Sequence, residues 1–247
     1  MRRLVPLAVL FGLWAMVARL SLLPPFILPP PEAVVLRLAT DAPLLARHGL
    51  TTLVEVVAGL MIGSSLGFAL GCLMQLSAGL RRLVEPFLAM TQAVPVFVLA
   101  PVLTVWLGYG IGPKVAMTVL LVFFPVTTAL LEGMAAVPEA TRDLARIAGA
   151  GPWRELVWLR LPHAVPHLAA GLKIAATYAP AGAVIGEWIG ASQGLGFLML
   201  RANARMETDL MFAALAGVVF ITVALRFGVD RICAGGPEGR CQRRGAA

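Results

Sequence analysis

Long apolar stretches separated by short polar segments dominate the chain. They fall at approximately 4–23, 50–74, 84–107, 113–131, 164–189 and 209–229. An α-helix rises about 1.5 Å per residue and the hydrocarbon layer of a bilayer is about 30 Å thick, so a span needs roughly 20 mainly apolar residues. The pattern therefore predicts an all-α integral membrane protein with about six transmembrane helices in a single domain, 1–247.

Two features of these stretches leave alternatives. Pro95, Pro101, Pro125 and Pro180 fall inside predicted spans, where we expect neighbouring helices to tolerate them. The first stretch follows Arg2 and Arg3 and could be a signal peptide. A retained helix is favoured, because the run is long and no clear small-x-small cleavage site precedes Pro24.

Composition agrees with a lipid environment. Of 247 residues, 59% are hydrophobic and 13% charged, and the mean hydropathy is +0.86. Soluble domains are about 45–50% apolar and about 25% charged. The net charge of +7 could suggest nucleic acid, but the basic residues form no contiguous face, so we expect membrane lipid and no nucleic acid as a partner. Cys72, Cys233 and Cys241 are too scattered to predict a disulfide framework or a zinc site, and no metal or cofactor is expected.

The distribution of Lys and Arg predicts the orientation. With the amino terminus inside, 13 of the 20 basic residues fall in cytoplasmic segments and 5 outside. Cytoplasmic loops carry the excess of Lys and Arg in membrane proteins. Both termini are therefore predicted to be cytoplasmic.

Small residues at four-residue spacing predict close helix contacts. The second span carries Gly59, Gly63, Gly67 and Gly71, and the fifth carries Gly182, Gly186 and Gly190. Small residues let helix backbones approach each other in lipid. These faces are predicted to be helix–helix or subunit contacts.

The longest cytoplasmic loop, 132–162, contains an amphipathic segment. Pro138 suits the start of a helix and Gly149, Gly151 and Pro152 its end. A second short segment, 153–160, is expected to precede Pro162 and Pro166, which turn the chain back into the membrane. The first segment could rest in the lipid headgroups or serve as a docking element for a cytoplasmic partner.

A motif in this loop resembles that of binding-protein-dependent ABC importer permeases, E-A-A-x3-G-x9-I-x-L-P. Here Asp143, Leu144 and Ala145 are followed after three residues by Gly149 and after nine more by Leu159, Arg160, Leu161 and Pro162. The spacing matches at every step. Asp replaces Glu, Leu replaces Ile, and Leu144 is bulkier than the family's Ala.

The resemblance extends over about residues 26–232. The segments 28–32, 93–95, 99–101, 106–110 and 186–196 are similar to the nitrate/sulfonate/taurine permease group. The run from Gly186 to Phe212 is most similar to permeases for hydroxymethylpyrimidine, a thiamine precursor. Import of sulfonate, taurine or nitrate by the same machinery is the alternative.

This resemblance implies a type I importer in the bacterial inner membrane. It would contain two permease copies, two cytoplasmic ABC ATPase subunits and an extracytoplasmic solute-binding protein. The loop would be the coupling helix, with Asp143, Leu144, Ala145, Gly149, Leu159, Leu161 and Pro162 as coupling residues. The sequence contains no G-x-x-x-x-G-K-[ST], so ATP hydrolysis is expected of another chain, and this chain is not expected to be an enzyme.

Polar residues within the spans are candidates for the translocation path or its gate, because ionisable groups are expensive in lipid. They are Gln92, Pro95, Glu187 and Trp188, with Glu55 as a further carboxylate in the outer part of the second span. Each also has a structural interpretation, as an interhelical hydrogen bond, an interfacial group or a packing residue.

Two other classes remain as alternatives. A membrane-embedded enzyme would need a nucleophile and base, or a metal cluster, at one depth, which the span interiors do not offer. A secondary transporter would favour midplane carboxylates or inverted repeats, and no clear repeat is present.

Overall fold

The regular elements in residues 5–20 and 24–234, which the computed structural model describes, are all helical. They are α1 (Val5–Arg19), α2 (Pro31–Thr40), α3 (Ala42–Leu76), α4 (Ala78–Ala93), a 3-10 turn (Val96–Val98), α5 (Leu99–Leu107), α6 (Ile111–Ala135), α7 (Glu139–Ile147), α8 (Pro152–Glu155), a π turn (Leu156–Arg160), α9 (Leu161–Trp188), α10 (Leu195–Ala204) and α11 (Thr208–Ala234).

Within the described residues, four continuous helical segments are long and apolar enough to cross a membrane. They are Ala42–Leu76, Ile111–Ala135, Pro152–Trp188 and Thr208–Cys233. They coincide with the second, fourth, fifth and sixth predicted spans and extend beyond most of their predicted ends. The first predicted span corresponds to α1, whose 15 residues extend about 22 Å at 1.5 Å per residue. The predicted all-α membrane architecture is confirmed.

The third predicted span, 84–107, is broken rather than straight. Its halves, Ala78–Thr91 and Val96–Leu107, are bent by 90°. Val94 has φ −86° and ψ 124°, an extended conformation. A residue before proline is disfavoured in the helical region, and Pro95 has no N–H for the helical ladder. The expectation that a helix would tolerate Pro95 was therefore wrong, whereas Pro125 and Pro180 do lie inside α6 and α9.

The predicted cytoplasmic loop, 132–162, is shorter in the structure. α6 continues through Ala135, and the chain from Pro152 to Trp188 is helical throughout, so only 136–151 lies between the two long helices. Pro162 and Pro166 do not turn the chain. A π turn directly precedes Pro162, and the displaced ladder of such a turn accommodates a missing N–H.

Helix α6 lies at the centre of the bundle, between α3 and α9. Along α3, a Cβ placed on Gly59 would lie 2.4 Å from Thr118, and one on Gly67 would lie 2.7 Å from the carbonyl of Phe123. Cβ atoms on Gly63 and Gly71 would similarly approach Val122 and Leu130 to 2.9 and 2.8 Å. The α3 glycines therefore face α6 of the same chain.

The same close approach occurs on the other side of α6. A Cβ on Gly182 would lie 2.7 Å from Thr118, and one on Gly186 would lie 2.7 Å from Lys114. Val122 and Val126 of α6 and Ala175 and Ala179 of α9 are fully buried in the core beside these contacts. The backbones of three helices are thus held together at distances that only glycine permits.

Candidate functional site

Helix α7 projects from the bundle with its apolar side uncovered. Leu144 is 66% exposed and Ile147 is 84% exposed, and no residue of α7 is buried. The half-buried residues of the helix are Arg142 and Ala145, which lie on its other side. The predicted helix beginning after Pro138 is confirmed, and its apolar residues contact solvent or another molecule rather than this chain's own core.

Gly149, the glycine of the motif, ends α7 in a hydrogen-bonded C-cap. The N–H of Ala150 donates to the carbonyl of Ala145 at 2.9 Å, and the N–H of Gly149 donates to the carbonyl of Arg146 at 2.9 Å. These two bonds form a Schellman motif with Gly149 at the left-handed position, φ +78°. The four-residue separation of Ala145 and Gly149 is therefore the spacing that this helix end requires.

The remaining motif residues lie in a different element. Leu159 belongs to the π turn, and Leu161 and Pro162 begin α9. Leu159 and Leu161 are half-buried and Pro162 is exposed. The motif thus joins two parts: Asp143, Leu144, Ala145 and Gly149 on the exposed helix, and the leucines and proline at the base of a long core helix.

The candidate path residues that the structure describes differ in exposure. Pro95 is exposed at the break in the third predicted span. Trp188 is 48% exposed at the end of α9, whereas Glu187 is only 1% exposed. The side chain of Gln92 lies outside the described part of the structure.

Glu187 belongs instead to a buried polar network at the opposite end of α6 and α9 from α7. Its Oε1 accepts a hydrogen bond from Thr52 Oγ1 at 2.6 Å, and its Oε2 accepts one from the N–H of Gly196. Thr52 Oγ1 accepts the N–H of Leu195 at 2.8 Å, and His48 Nδ1 accepts the N–H of Gly194 at 3.0 Å. Three successive N–H groups at the start of α10 are therefore capped by side chains from α3 and α9.

Glycine makes this cap possible. A Cβ on Gly194, whose φ is +113°, would lie 2.2 Å from the carboxyl carbon of Glu187. A Cβ on Gly196 would lie 2.8 Å from Oε2 of the same residue. The carboxylate can thus reach the positive end of the α10 dipole, where negative charge is stabilised.

Two further ionisable groups complete the polar network. Glu55, next to Glu187, is 3% exposed, and its Oε2 has no hydrogen-bond partner within the described residues. Lys114 on α6 is 6% exposed and donates to the carbonyl of Gly110. The two carboxylates were predicted from the sequence as candidates, whereas His48 and Thr52 were not. Their spacing with Glu55, at i, i+4 and i+7, places all three on one face of α3 and was the available signal.

The fold is similar to that of ABC importer permeases. One chain in a solved structure of the MetNI methionine ABC transporter, in inward-facing conformations, superposes with a TM-score of 0.69. It is 20% identical in sequence, and the match covers 79% of this chain and 97% of that one. The likeness shows the fold.

The family follows from sequence. Residues 59–234 match the family described as binding-protein-dependent transport system inner membrane component, and the chain belongs to this family. It is therefore an inner-membrane permease component of a binding-protein-dependent ABC importer, as the loop motif predicted.

Several relatives are similar over most of their length. A probable ABC transporter permease protein of Haemophilus influenzae is 45% identical over 93% of this chain and 94% of its own. The formylaminopyrimidine transport permease protein ThiX of Halalkalibacterium halodurans is 35% identical, covering 83% and 82%. The taurine transport system permease protein TauC of Escherichia coli is 30% identical, covering 90% and 84%.

Proposed function

We propose that this chain forms the solute path of its importer as a two-fold homodimer, and that α7 is the coupling helix on which a separate cytoplasmic ATPase acts. The observation that carries the proposal is the exposed apolar side of α7. Leu144 and Ile147 are large apolar residues that this chain leaves uncovered at the end of a helix with a defined C-cap. A partner's cleft would remove both from water.

The amphipathic pattern of α7 favours a protein partner for a structural reason. The apolar side points away from the bundle, while Arg142 and Ala145 are the residues that face it. A partner approaching from the cytosol would therefore meet the apolar side first. The predicted positive-inside orientation, with both termini in the cytoplasm, places α7 on the side where ATP is available.

In the mechanism that this arrangement supports, nucleotide-driven closure of two ATPase subunits moves the two coupling helices. Since α7 connects α6 to the helix that continues into α9, both long core helices receive that movement. The bundle then opens to the outside, and a docked solute-binding protein releases its solute into the path. Gln92, Pro95 and Trp188 stay candidates for lining it.

For Glu187 the geometry supports a role in the gate rather than direct contact with solute. Its carboxylate fixes the start of α10 to α3, and it is enclosed within one chain. A residue so placed controls the position of the segment 189–196 at the end of the bundle opposite α7. We propose that this segment closes the path.

For the solute we propose a small pyrimidine such as hydroxymethylpyrimidine. The resemblance of residues 186–212 to pyrimidine permeases and the 35% identity to ThiX support this choice. Taurine is the second candidate, because TauC is 30% identical over a similar share of the chain. Uptake of labelled hydroxymethylpyrimidine and of labelled taurine, measured in the same cells with the complete importer, distinguishes the two.

The coupling proposal is tested by purification of the complex in detergent. Leu144→Asp and Ile147→Asp should reduce the amount of ATPase recovered with the permease by at least tenfold, since each places a charge in an apolar contact. Thr141→Asp, at another exposed position of the same helix, is the matched control and should retain the ATPase. Equal recovery of ATPase with all three variants would remove α7 as the coupling helix.

A further inference from the structure

The first deeply buried residues after α7 lie at the π turn. Residues 148–154 are exposed or half-buried, whereas Glu155 is 9% exposed and Leu156 is 2% exposed. Leu156 belongs to a core cluster with Leu130 and Met134 of α6 and Ala164 of α9. If α7 moves, the first core residues that the movement reaches along the chain are therefore Glu155 and Leu156.

The backbone at this point is softened by three interruptions. In the π turn the N–H of Leu161 donates to the carbonyl of Leu156, one residue further back than in an α-helix. Pro162 and Pro166, which follow within ten residues, have no N–H to donate to the preceding turn. The stretch from Leu156 to Pro166 thus has fewer ladder hydrogen bonds than an uninterrupted helix of its length.

A buried ion pair spans the softened turn. Arg160 donates to Oε1 of Glu155 from Nε at 2.8 Å and from Nη2 at 2.5 Å. The two side chains are 12% and 10% exposed. Two charge-assisted hydrogen bonds in this poorly hydrated setting hold their geometry more firmly than a surface pair.

The pair depends on the geometry of the π turn. On an α-helix, residues five apart are separated by about 140° around the axis and cannot meet. The wider π turn brings Glu155 and Arg160 to the same side. If the turn relaxed to α-helical geometry, the pair would separate and leave two buried charges without partners.

We propose that the π turn with its Glu155–Arg160 pair is the joint that transmits movement of the coupling loop to α9. This inference rests on the proposed coupling role of α7. The pair acts as a positioning device: it stiffens a stretch of helix that the prolines and the π turn have weakened, so that α9 follows the loop instead of bending. Neither residue is expected to contact the ATPase or the solute.

The test measures movement at the far end of α9 in the complex of permease and ATPase. Cys72, Cys233 and Cys241 are replaced with Ser, and Ser192→Cys supplies a reporter in the exposed segment after α9. The rate of its modification by a membrane-impermeant maleimide is compared without nucleotide and after trapping with ATP and vanadate. The complex with the native pair should show a nucleotide-dependent change in rate.

Glu155→Gln removes one charge and keeps an acceptor. It should reduce the nucleotide-dependent change by at least half while the ATPase stays bound and traps nucleotide. Arg160→Lys keeps a paired charge but loses the planar fork, and it should fold and show a smaller reduction. The exchanged pair, Glu155→Arg with Arg160→Glu, should restore the change in part.

Each outcome distinguishes whether the Glu155–Arg160 pair transmits movement to α9 or only stabilises the fold. A full nucleotide-dependent change in Glu155→Gln or Arg160→Lys would overturn the proposal, as would the absence of any change in the complex with the native pair. A structural role would lower the yield of complex but leave the change per complex intact. Failure of the coupling proposal is distinguishable, because the ATPase would then bind without regard to α7.

Discussion

The two ends of α6 and α9 contrast in how completely this chain satisfies its own groups. At one end, the polar network around Glu187 pairs three backbone N–H groups with His48, Thr52 and Glu187, all of them buried. At the other end, Leu144 and Ile147 of α7 stay exposed. The first region caps these N–H groups within one chain, whereas the second leaves its large apolar residues uncovered.

Glycine illustrates the difference most directly. Gly194 and Gly149 both adopt a positive φ at a helix end, +113° and +78°. A Cβ on Gly194 would collide with Glu187, but one on Gly149 would meet nothing within 4 Å. A positive φ therefore occurs at a packed interior in one place and at a free surface in the other.

The largest effect on stability is expected at Gly194. Gly194 has φ +113° and ψ 160°, a backbone region essentially confined to glycine. Gly194→Ala also clashes with Glu187, so it should cost about 2–6 kcal/mol, the sum of about 1–3 kcal/mol of backbone strain and about 1–3 kcal/mol of overpacking. Gly149→Ala is the matched control and should cost about 1–2 kcal/mol, from the backbone alone. Thermal unfolding of the purified protein in detergent measures both, and equal shifts of the two Tm values would refute the contrast.

A smaller effect is expected at Thr52. Thr52→Val keeps the shape but leaves the N–H of Leu195 and one oxygen of Glu187 without their partner, at a cost of about 2–3 kcal/mol. Thr51→Val is the control, because Thr51 Oγ1 is exposed and, among the described residues, bonds to the carbonyl of Arg47 alone. Its Tm should change by less than about 2 °C, as expected for a surface substitution. A Thr52→Val protein as stable as the control would show that the network adds nothing.

The smallest effect on stability is expected for Gly149→Ala, in the segment 136–151 between the two long helices. The same substitution should have a large effect on transport. Gly149→Ala should lower solute uptake several-fold, because a strained C-cap changes the direction in which α7 leaves the bundle. Gly151→Ala should leave uptake unchanged, since Gly151 is equally exposed but has φ −72°. Gly149→Asn should restore most of the uptake, because Asn tolerates a positive φ. If uptake is the same in all three variants, the C-cap is not part of coupling.

Periodicity and composition were sufficient to predict the long helices and α7. Apolar length located the long helices, and Pro138 and Gly149 located α7. The break at Pro95 and the continuity of the helix through Pro162 were not predictable from the sequence. A proline ends one helix, but in another helix a π turn or a neighbouring helix accommodates it. Which of these happens depends on carbonyl groups several residues away and on the packing around them.

The sequence alone determined that this protein resides in a membrane, that its helices approach closely along glycine faces, and that one of its loops resembles a motif of importer permeases. These properties depend on local composition and spacing. Only the tertiary structure decided that Glu187 caps α10 beside Thr52 and that Glu155 meets Arg160 across a π turn. Both arrangements depend on the relative rotation and depth of helices, and buried polar groups are placed by the partners that packing brings to them.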